Sequence, residues 1–281
     1  METNSLLTKY IESSSVQQIQ SFLTKKTNHI QLKNLKGSTS SLLAASLSKL
    51  RQEHQLFILD NREDALYFQN DLENLLQENV LLFPTSYKKL YQYEEVDNAN
   101  IVFRTDVLNT LSNSKKRSLI VTYPDALFEK VINKQSLVKN TFGLQIKEEV
   151  SISFVNEMLL EYGFIKTDFV YEAGQFSIRG GIVDIFSFAY EYPYRVEFFG
   201  DEVESIRTFN PETQLSLEEK KFLAILPDIQ TRLVQSNRIS FWDFLPENSI
   251  IWTADLNECK NNIQYCFEKA SQQFDIICEQ T

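Results

Sequence analysis

The stretch Gly174–Phe209, GQFSIRGGIVDIFSFAYEYPYRVEFFGDEVESIRTF, contains four of the seven glycines in the chain and alternates apolar with polar residues. A period of two residues is typical of β-strands, whose successive side chains point to opposite faces of a sheet. Gly200-Asp201-Glu202 predicts a short hairpin loop, because glycine readily adopts the positive φ that such loops need. We therefore expect one strand that ends near Phe199 and a returning strand over Val203–Phe209.

The same alternation divides the side chains of the first strand between two faces. One face is apolar and takes Tyr194, Val196 and Phe198, whereas the other takes Arg195, Glu197 and Phe199. Arginine and aromatic residues are enriched at the energetic centres of protein interfaces. The pattern alone leaves two interpretations open, a protein-docking face and a solvated face with one exposed aromatic residue.

The composition predicts a globular chain that does not contact a membrane. With 281 residues, 43% of them hydrophobic and 23% charged, the chain is long enough to bury a sizeable core in one to three domains. The sequence has no run of about 18 apolar residues that would span a membrane. Residues 1–14 lack both the basic start and the apolar core of a secretory signal. We therefore expect a cytoplasmic location.

The cysteines and histidines do not form a recognisable metal or disulfide pattern. Cys259, Cys266 and Cys278 are odd in number and widely spaced, which favours reduced thiols, and His29 and His54 stand alone. We therefore expect no metal site and no other cofactor.

The charge of the chain disfavours tight binding to duplex DNA. The formal net charge is −10 and the pI is about 4.9, whereas duplex binding relies on several basic side chains that neutralise phosphates. Lys115–Arg117 (KKR) is the nearest candidate for a local basic patch. Three basic residues before a strand are more often a solvated turn, so weak DNA contact stays an open alternative.

Strands and helices alternate along the first 135 residues. A helix is expected over Thr3–Gln20, and Asn61 and Asp64 form a capping-box-like pair at the start of another. Such alternation predicts a parallel, doubly wound sheet. Its strands are predicted at His29–Leu35, Gln55–Leu59, Val80–Phe83 and Ser118–Thr122.

After about residue 135 the order of elements changes. One helix near Phe154–Tyr162 is followed by hairpin-like strands through Phe209, and strand–helix alternation then returns. The predicted fold class is therefore α/β, with a split parallel-sheet domain and a smaller inserted α+β domain. We place the two parts of the split domain at residues 1–135 and 224–281, and the inserted domain at residues 136–223.

Two runs in this inserted region resemble a known family. FSIRGGIVDIF (176–186) and PYRVEFFGDEVESIRTFNPETQLSL (193–217) are similar to domain 2 of the UvrB-homology module of transcription-repair coupling factors, and UvrB carries a related version. The resemblance covers essentially the whole chain and implies the domain order 1a, 2, 1b. It also implies that domain 2 docks UvrA. Position by position, the docking arginines would be Arg179 and Arg195, with Phe199 beside them and Glu197 at an acidic position of the same strand.

A phosphate-binding loop is expected between the first predicted strand and its helix, but the sequence departs from it. The working pattern G-x-x-x-x-G-K-[ST] needs two glycines, a lysine and a hydroxyl group. Gly37 and Thr39 occupy the second glycine and hydroxyl positions, whereas Leu32 and Ser38 replace the first glycine and the lysine. UvrB has a complete loop, and the coupling factors typically have a degenerate one. The resemblance therefore implies that Gly37, Ser38 and Thr39 do not bind nucleotide.

UvrB also has a long tyrosine-rich hairpin that grips DNA, and the matching segment of this chain is short. The segment Val80–Ile101 contains Tyr87, Tyr91 and Tyr93 but is too short for an extended hairpin. The tyrosine rings are able to stack on nucleic-acid bases. The neighbouring acidic residues instead favour a partly packed loop. Those acidic residues are Glu94, Glu95 and Asp97.

The resemblance implies a non-catalytic module that recruits UvrA to stalled transcription complexes during nucleotide excision repair. In the family, other domains bind RNA polymerase and DNA and supply a translocating ATPase; the motor motifs are absent here, so we expect a fragment of a longer protein. Arg179→Ala or Arg195→Ala is expected to weaken UvrA binding at least about tenfold without changing the thermal melt. Two alternatives stay open. One is a UvrB-type NTPase or DNA-damage-binding subunit, and the other is a nucleic-acid-binding module whose affinity falls steeply with salt.

Overall fold

A computed structural model describes residues 2–24, 29–86, 98–113, 116–139, 141–188, 190, 192–226 and 238–280. The chain divides into two compact units, each built from separate segments. The first unit comprises Met1–Phe83, Ser114–Asp125 and Pro246–Cys266, and the second comprises Pro84–Asn113, Ala126–Leu245 and Phe267–Thr281.

The described residues form helices and strands that we number in chain order. The helices are α1 (Glu2–Ile11), α2 (Ser14–Leu23), α3 (Thr39–Leu50), α4 (Arg62–Leu76), α5 (Asn98–Asn113), α6 (Pro124–Phe128), α7 (Lys134–Lys139), α8 (Ile152–Glu161), α9 (Phe241–Phe244) and α10 (Leu256–Gln280). The strands are β1 (Gln55–Ile58), β2 (Leu81–Phe83), β3 (Leu119–Thr122), β4 (Val131–Ile132), β5 (Phe142–Gln145), β6 (Ile165–Lys166), β7 (Gln175–Arg179), β8 (Ile182–Ile185), β9 (Tyr194–Phe199), β10 (Glu202–Phe209), β11 (Ser216–Lys220), β12 (Phe222–Ile225), β13 (Arg238–Ile239) and β14 (Ile250–Thr253).

The first unit contains a four-stranded parallel sheet in the order β14-β1-β3-β2. Every residue of β1 and β3 is buried, as expected for parallel strands that are covered on both faces and therefore read as continuous apolar runs. The sheet joins distant parts of the chain, because β14 (Ile250–Thr253) pairs with β1 (Gln55–Ile58). The predicted parallel sheet and mixed α/β class are therefore confirmed.

Two local predictions in the first unit are wrong. Residues 29–36 contain no strand, because the apparent alternation comes from Ile30 and Leu32, which pack against a helical core cluster rather than pair with a sheet. The single helix predicted over Thr3–Gln20 is two helices. Ser13 separates them, since its hydroxyl accepts a hydrogen bond from the amide of Val16 and thereby caps α2.

The predicted cap of α4 is confirmed in detail. Asn61 is extended, and its Oδ1 accepts a hydrogen bond from the Asp64 amide at 2.9 Å. Asn61 Nδ2 in turn donates to Asp64 Oδ2 at 2.8 Å. The first bond satisfies one backbone amide that the first helical turn leaves without a partner, and the second bond holds the two side chains together.

The second unit contains a six-stranded sheet in the order β11-β10-β9-β8-β7-β6. Its neighbours are antiparallel, except that β6 and β7 are parallel. Tyr194, Val196 and Phe198 are buried on one face of β9, so the predicted assignment of its side chains to two faces is confirmed. The two-residue hairpin between β9 and β10 has Gly200 at φ +65°, which confirms the reason for glycine there.

Candidate docking surface on the six-stranded sheet

The four predicted docking residues lie on two strands that are separated by β8. Arg179 is the last residue of β7, and Arg195, Glu197 and Phe199 alternate along β9. In the ladder, Arg179 pairs with Ile182, which pairs with Glu197. Directly paired residues lie on the same face of a sheet, so the structure places Arg179 on the face that carries Arg195, Glu197 and Phe199. We call this face the docking surface.

A buried carboxylate, Asp184, lies between the two arginines. Asp184 on β8 is 0% exposed and pairs directly with Arg195 on β9. Its Oδ1 accepts from Arg195 Nε at 2.7 Å, and its Oδ2 accepts from Arg195 Nη2 at 2.9 Å and from Arg179 Nη2 at 2.6 Å. The Arg195 contact is a two-bond fork, the strong form of an arginine–carboxylate pair. This hydrogen bonding raises the pKa of the Arg195 guanidinium above its ordinary value.

An aromatic ring packs against each of these guanidinium groups. The Arg179 guanidinium carbon lies 4.9 Å from the centre of the Phe169 ring, and that of Arg195 lies 4.6 Å from the centre of the Phe209 ring. Both distances are within the range of cation–π attraction. Arg179 Nη1 also donates to the carbonyl oxygen of Asp168 at 2.8 Å. Each guanidinium plane is therefore held both by hydrogen bonds in the plane and by a ring against it.

Glu197 belongs to a second charged pair on the same surface. Its Oε2 accepts from the Ser205 hydroxyl at 2.8 Å, and both of its carboxylate oxygens accept from the guanidinium of Arg207. The Ser205 hydrogen bond, together with the nearby Arg207 charge, holds the pKa of the Glu197 carboxyl below its usual value, although partial burial opposes the shift. Glu197 is thus an ionised group with a fixed partner at neutral pH.

Phe199 is the most exposed of the large apolar side chains in the described residues. It is 81% exposed and ends β9 beside the Gly200 turn. The neighbouring β7–β8 turn approaches β9 closely, because the Phe198 amide donates to the Gly181 carbonyl oxygen at 2.7 Å. A Cβ atom at Gly181 would lie 2.7 Å from the backbone oxygen of Phe198, so this approach requires glycine.

The predicted residues differ in how accessible they are. The exposed fractions of the arginine side chains are 35% for Arg179 and 14% for Arg195. Sequence reasoning did not identify Asp184, Arg207 or Phe169 as part of this surface. An aspartate inside the otherwise apolar run IVDIF was the available signal for Asp184, because an acid in such a run needs a buried partner. Beside Arg179 there is also a cleft of about 430 Å³, lined on its other side by residues 166–169.

The region aligned with a phosphate-binding loop has the geometry of a helix start. Gly37 has φ +54°, and α3 begins two residues later at Thr39. The Thr39 hydroxyl donates to the carbonyl oxygen of Lys36 at 2.7 Å. Within the described part of the chain, Ser38 makes no side-chain capping hydrogen bond to α3. With the predicted strand before Gly37 absent, the strand–loop–helix arrangement of a phosphate site is incomplete here.

The other residues considered in the sequence lie either outside the described part of the chain or away from this sheet face. Tyr87, Tyr91, Tyr93, Glu94, Glu95 and Asp97 lie outside the described residues, as does Lys115. Arg117 donates to Glu78 at 2.6 Å. Cys259 and Cys266 are buried, and neither forms a disulfide bond within the described residues. In the described ranges no group of three or more potential ligands is positioned for a metal ion, and none of the helices is long and apolar enough to cross a membrane.

Comparison with known proteins adds a family match that contains the docking surface. Residues 142–230 match the model of the UvrB interaction domain. The transcription-repair-coupling factor of Bacillus subtilis is 31% identical over 198 residues, which are 70% of this chain and 17% of that protein. The Borreliella burgdorferi transcription-repair-coupling factor is 22% identical over 267 residues, 94% of this chain and 22% of that protein.

A UvrB protein is also similar to this chain. The UvrABC system protein B of Corynebacterium diphtheriae is 24% identical over 228 residues, 77% of this chain and 34% of that protein. The chain thus spans between about a sixth and a third of the length of these relatives.

Proposed function

Because this chain resembles the N-terminal UvrB-homology module of transcription-repair coupling factors and carries their UvrB interaction domain, we propose that it is a non-catalytic module that docks UvrA. In this role it recruits UvrA to stalled transcription complexes in nucleotide excision repair. RNA polymerase and DNA are contacted by other domains of the longer protein, which works in the cytoplasm.

The exposed ring of Phe199 is the observation that carries this proposal. A phenylalanine that is 81% exposed contributes little to the fold, yet it lies on the same rigid sheet face as three arginines and their carboxylate partners. An apolar anchor with charged groups around it is the typical composition of an interface hot spot. The match to the UvrB interaction domain covers all of these residues.

The charged groups of this surface are expected to contribute more to the choice of partner than to the strength of long-range electrostatic attraction. Arg207 pairs with Glu197, and Arg179 and Arg195 share Asp184, so each guanidinium is fixed before a partner arrives. A pre-ordered surface loses less side-chain entropy on binding than a flexible one. Within the proposed arrangement, residues 136–223 form the docking domain, inserted between residues 1–135 and 224–281 of a degenerate nucleotide-binding fold.

A competition titration tests this function. Because UvrB carries a related domain, the chain should displace labelled UvrB from purified UvrA, with complete displacement at saturation. A variant with Phe199→Ala should need a much higher concentration for the same displacement. Failure of the parent chain to bind UvrA, or simultaneous binding of UvrB and the chain, would contradict the proposal.

A further inference from the structure

We propose that Asp184 is a positioning residue of the docking surface, which fixes Arg179 and Arg195 in the arrangement that the partner recognises without touching the partner itself. The inference rests on the proposed function, since it assigns the role to UvrA binding. Asp184 is 0% exposed, so a partner that covers the sheet face does not reach its carboxylate.

The hydrogen bonds explain how one buried carboxylate orients two side chains. Arg195 uses Nε and Nη2, both on one edge of the guanidinium, to bind Asp184, and Arg179 uses Nη2. A fork of this kind fixes the plane of a guanidinium as well as its distance. An arginine without such a partner would sample many rotamers, and binding would have to restrict them.

Asp184 also determines the net charge of the docking surface. Arg179 and Arg195 carry two positive charges and Asp184 one negative charge, so this cluster has a net charge of about +1 at neutral pH, while Arg207 and Glu197 cancel. A matching partner surface therefore presents an apolar pocket for Phe199 and the equivalent of one carboxylate, rather than a cluster of acids. Removal of the Asp184 charge would increase the positive charge of the surface, but it would also remove the two-bond fork of Arg195 and one hydrogen bond of Arg179.

The variant Asp184→Asn separates these two effects, because it keeps the size of the side chain and removes its charge. If position matters more than charge, UvrA affinity falls at least about tenfold, even though the surface becomes more positive. Affinity is measured by calorimetric titration well below the melting temperature, with near-UV circular dichroism to confirm the fold. Asp201→Asn, an exposed aspartate at the β9–β10 turn, is the matched control for the loss of one carboxylate.

A spectroscopic readout reports the positioning directly. In the parent chain the Arg195 Nε–H group is held by Asp184, so its NMR signal should exchange slowly with water. In Asp184→Asn that signal should exchange faster and shift, while backbone amide signals of β7 and β9 stay in place. A role in stability alone would leave the affinity of the folded variant unchanged.

Arg195→Lys supplies a second, milder test, because lysine keeps the charge near Asp184 but has no planar fork. It should weaken UvrA binding about tenfold, and adding Asp184→Asn to it should cost less than about threefold more, since both changes remove the same fixed guanidinium. If Asp184→Asn does not fold, Arg195→Lys alone decides, and parent-like affinity overturns the inference. A folded Asp184→Asn chain that binds UvrA as tightly as the parent would also overturn the inference. A parent chain that does not bind UvrA would overturn the proposed function, and the positioning role of Asp184 with it.

Discussion

The substitution Asp184→Ala should destabilise the second unit by about 3 kcal/mol. Asp184 is fully buried and accepts three charge-assisted hydrogen bonds, at 2.6, 2.7 and 2.9 Å. Breaking a buried ion pair by removing one partner typically costs about 3–5 kcal/mol, because the remaining charge is left uncompensated. We take the lower end, since Arg179 and Arg195 are 35% and 14% exposed and regain some hydration.

The expected loss is large enough to measure by thermal unfolding. For a protein of about 150–250 residues, 1 kcal/mol corresponds to roughly 2–4 °C, so Tm should fall by about 6–12 °C. The matched control Asp201→Ala removes an exposed carboxylate and should stay within about 0.5 kcal/mol of the parent. If Asp184→Ala unfolds within about 1 kcal/mol of the parent chain, the carboxylate does not organise the two arginines as described.

Three further predictions concern the same unit. Gly181→Ala should cost about 1–3 kcal/mol of unfolding free energy in denaturant titrations, because its Cβ would lie 2.7 Å from the Phe198 backbone oxygen. The pKa of Glu197 is lowered chiefly by the Ser205 hydroxyl, so its contribution to stability is present at neutral pH and is lost as the pH falls through the folded-state pKa. The difference in Tm between parent and Glu197→Gln should therefore shrink between pH 7 and about pH 3; a constant difference would exclude this account. Burial raises the pKa of the Asp106 carboxyl, so its negative charge opposes folding above that pKa. The variant Asp106→Asn should therefore have a higher Tm than the parent at pH 7. The gain should vanish below about pH 4, where the carboxyl is protonated in both the folded and the unfolded chain.

The sequence predicted which side chains share a face along one strand better than it predicted contacts across strands. The period of two in β9 was sufficient to place Arg195, Glu197 and Phe199 on one face, because side-chain direction along a strand depends on the backbone alone. The role of Asp184 depends on β8 lying between β7 and β9 and on their register. Neither is a local property of the sequence, so the sequence alone did not reveal that Arg179 and Arg195 share a buried acid.

This pairing changes one expectation about Arg195. From the sequence, Arg195→Ala was expected to leave the thermal melt unchanged. With Arg195 removed, Asp184 loses two of its three hydrogen bonds while fully buried, so we now expect a lower Tm as well. Loss of binding in that variant would mix two causes, which makes Phe199 the better probe of the interface.

The alternation of residues 29–35 does not form a strand, and the physical reason is different. Ile30 and Leu32 are partly buried against helices α2 and α3 through Val16, Ile19 and Leu43. A segment that packs every second side chain against helices has the same pattern as a half-buried strand. The parallel strands β1 and β3 were correctly predicted, since a continuous buried run bounded by polar residues has fewer competing explanations.

Titration of UvrA with the Phe199→Ala chain tests the central claim most directly. The ring is 81% exposed, so Tm should stay near that of the parent, whereas loss of a hot-spot anchor of about 2 kcal/mol or more should weaken binding at least about 30-fold. Tyr67→Ala, which removes a 75% exposed ring from α4 in the first unit, should leave the affinity unchanged. An affinity of Phe199→Ala within about twofold of the parent would show that this sheet face does not dock UvrA.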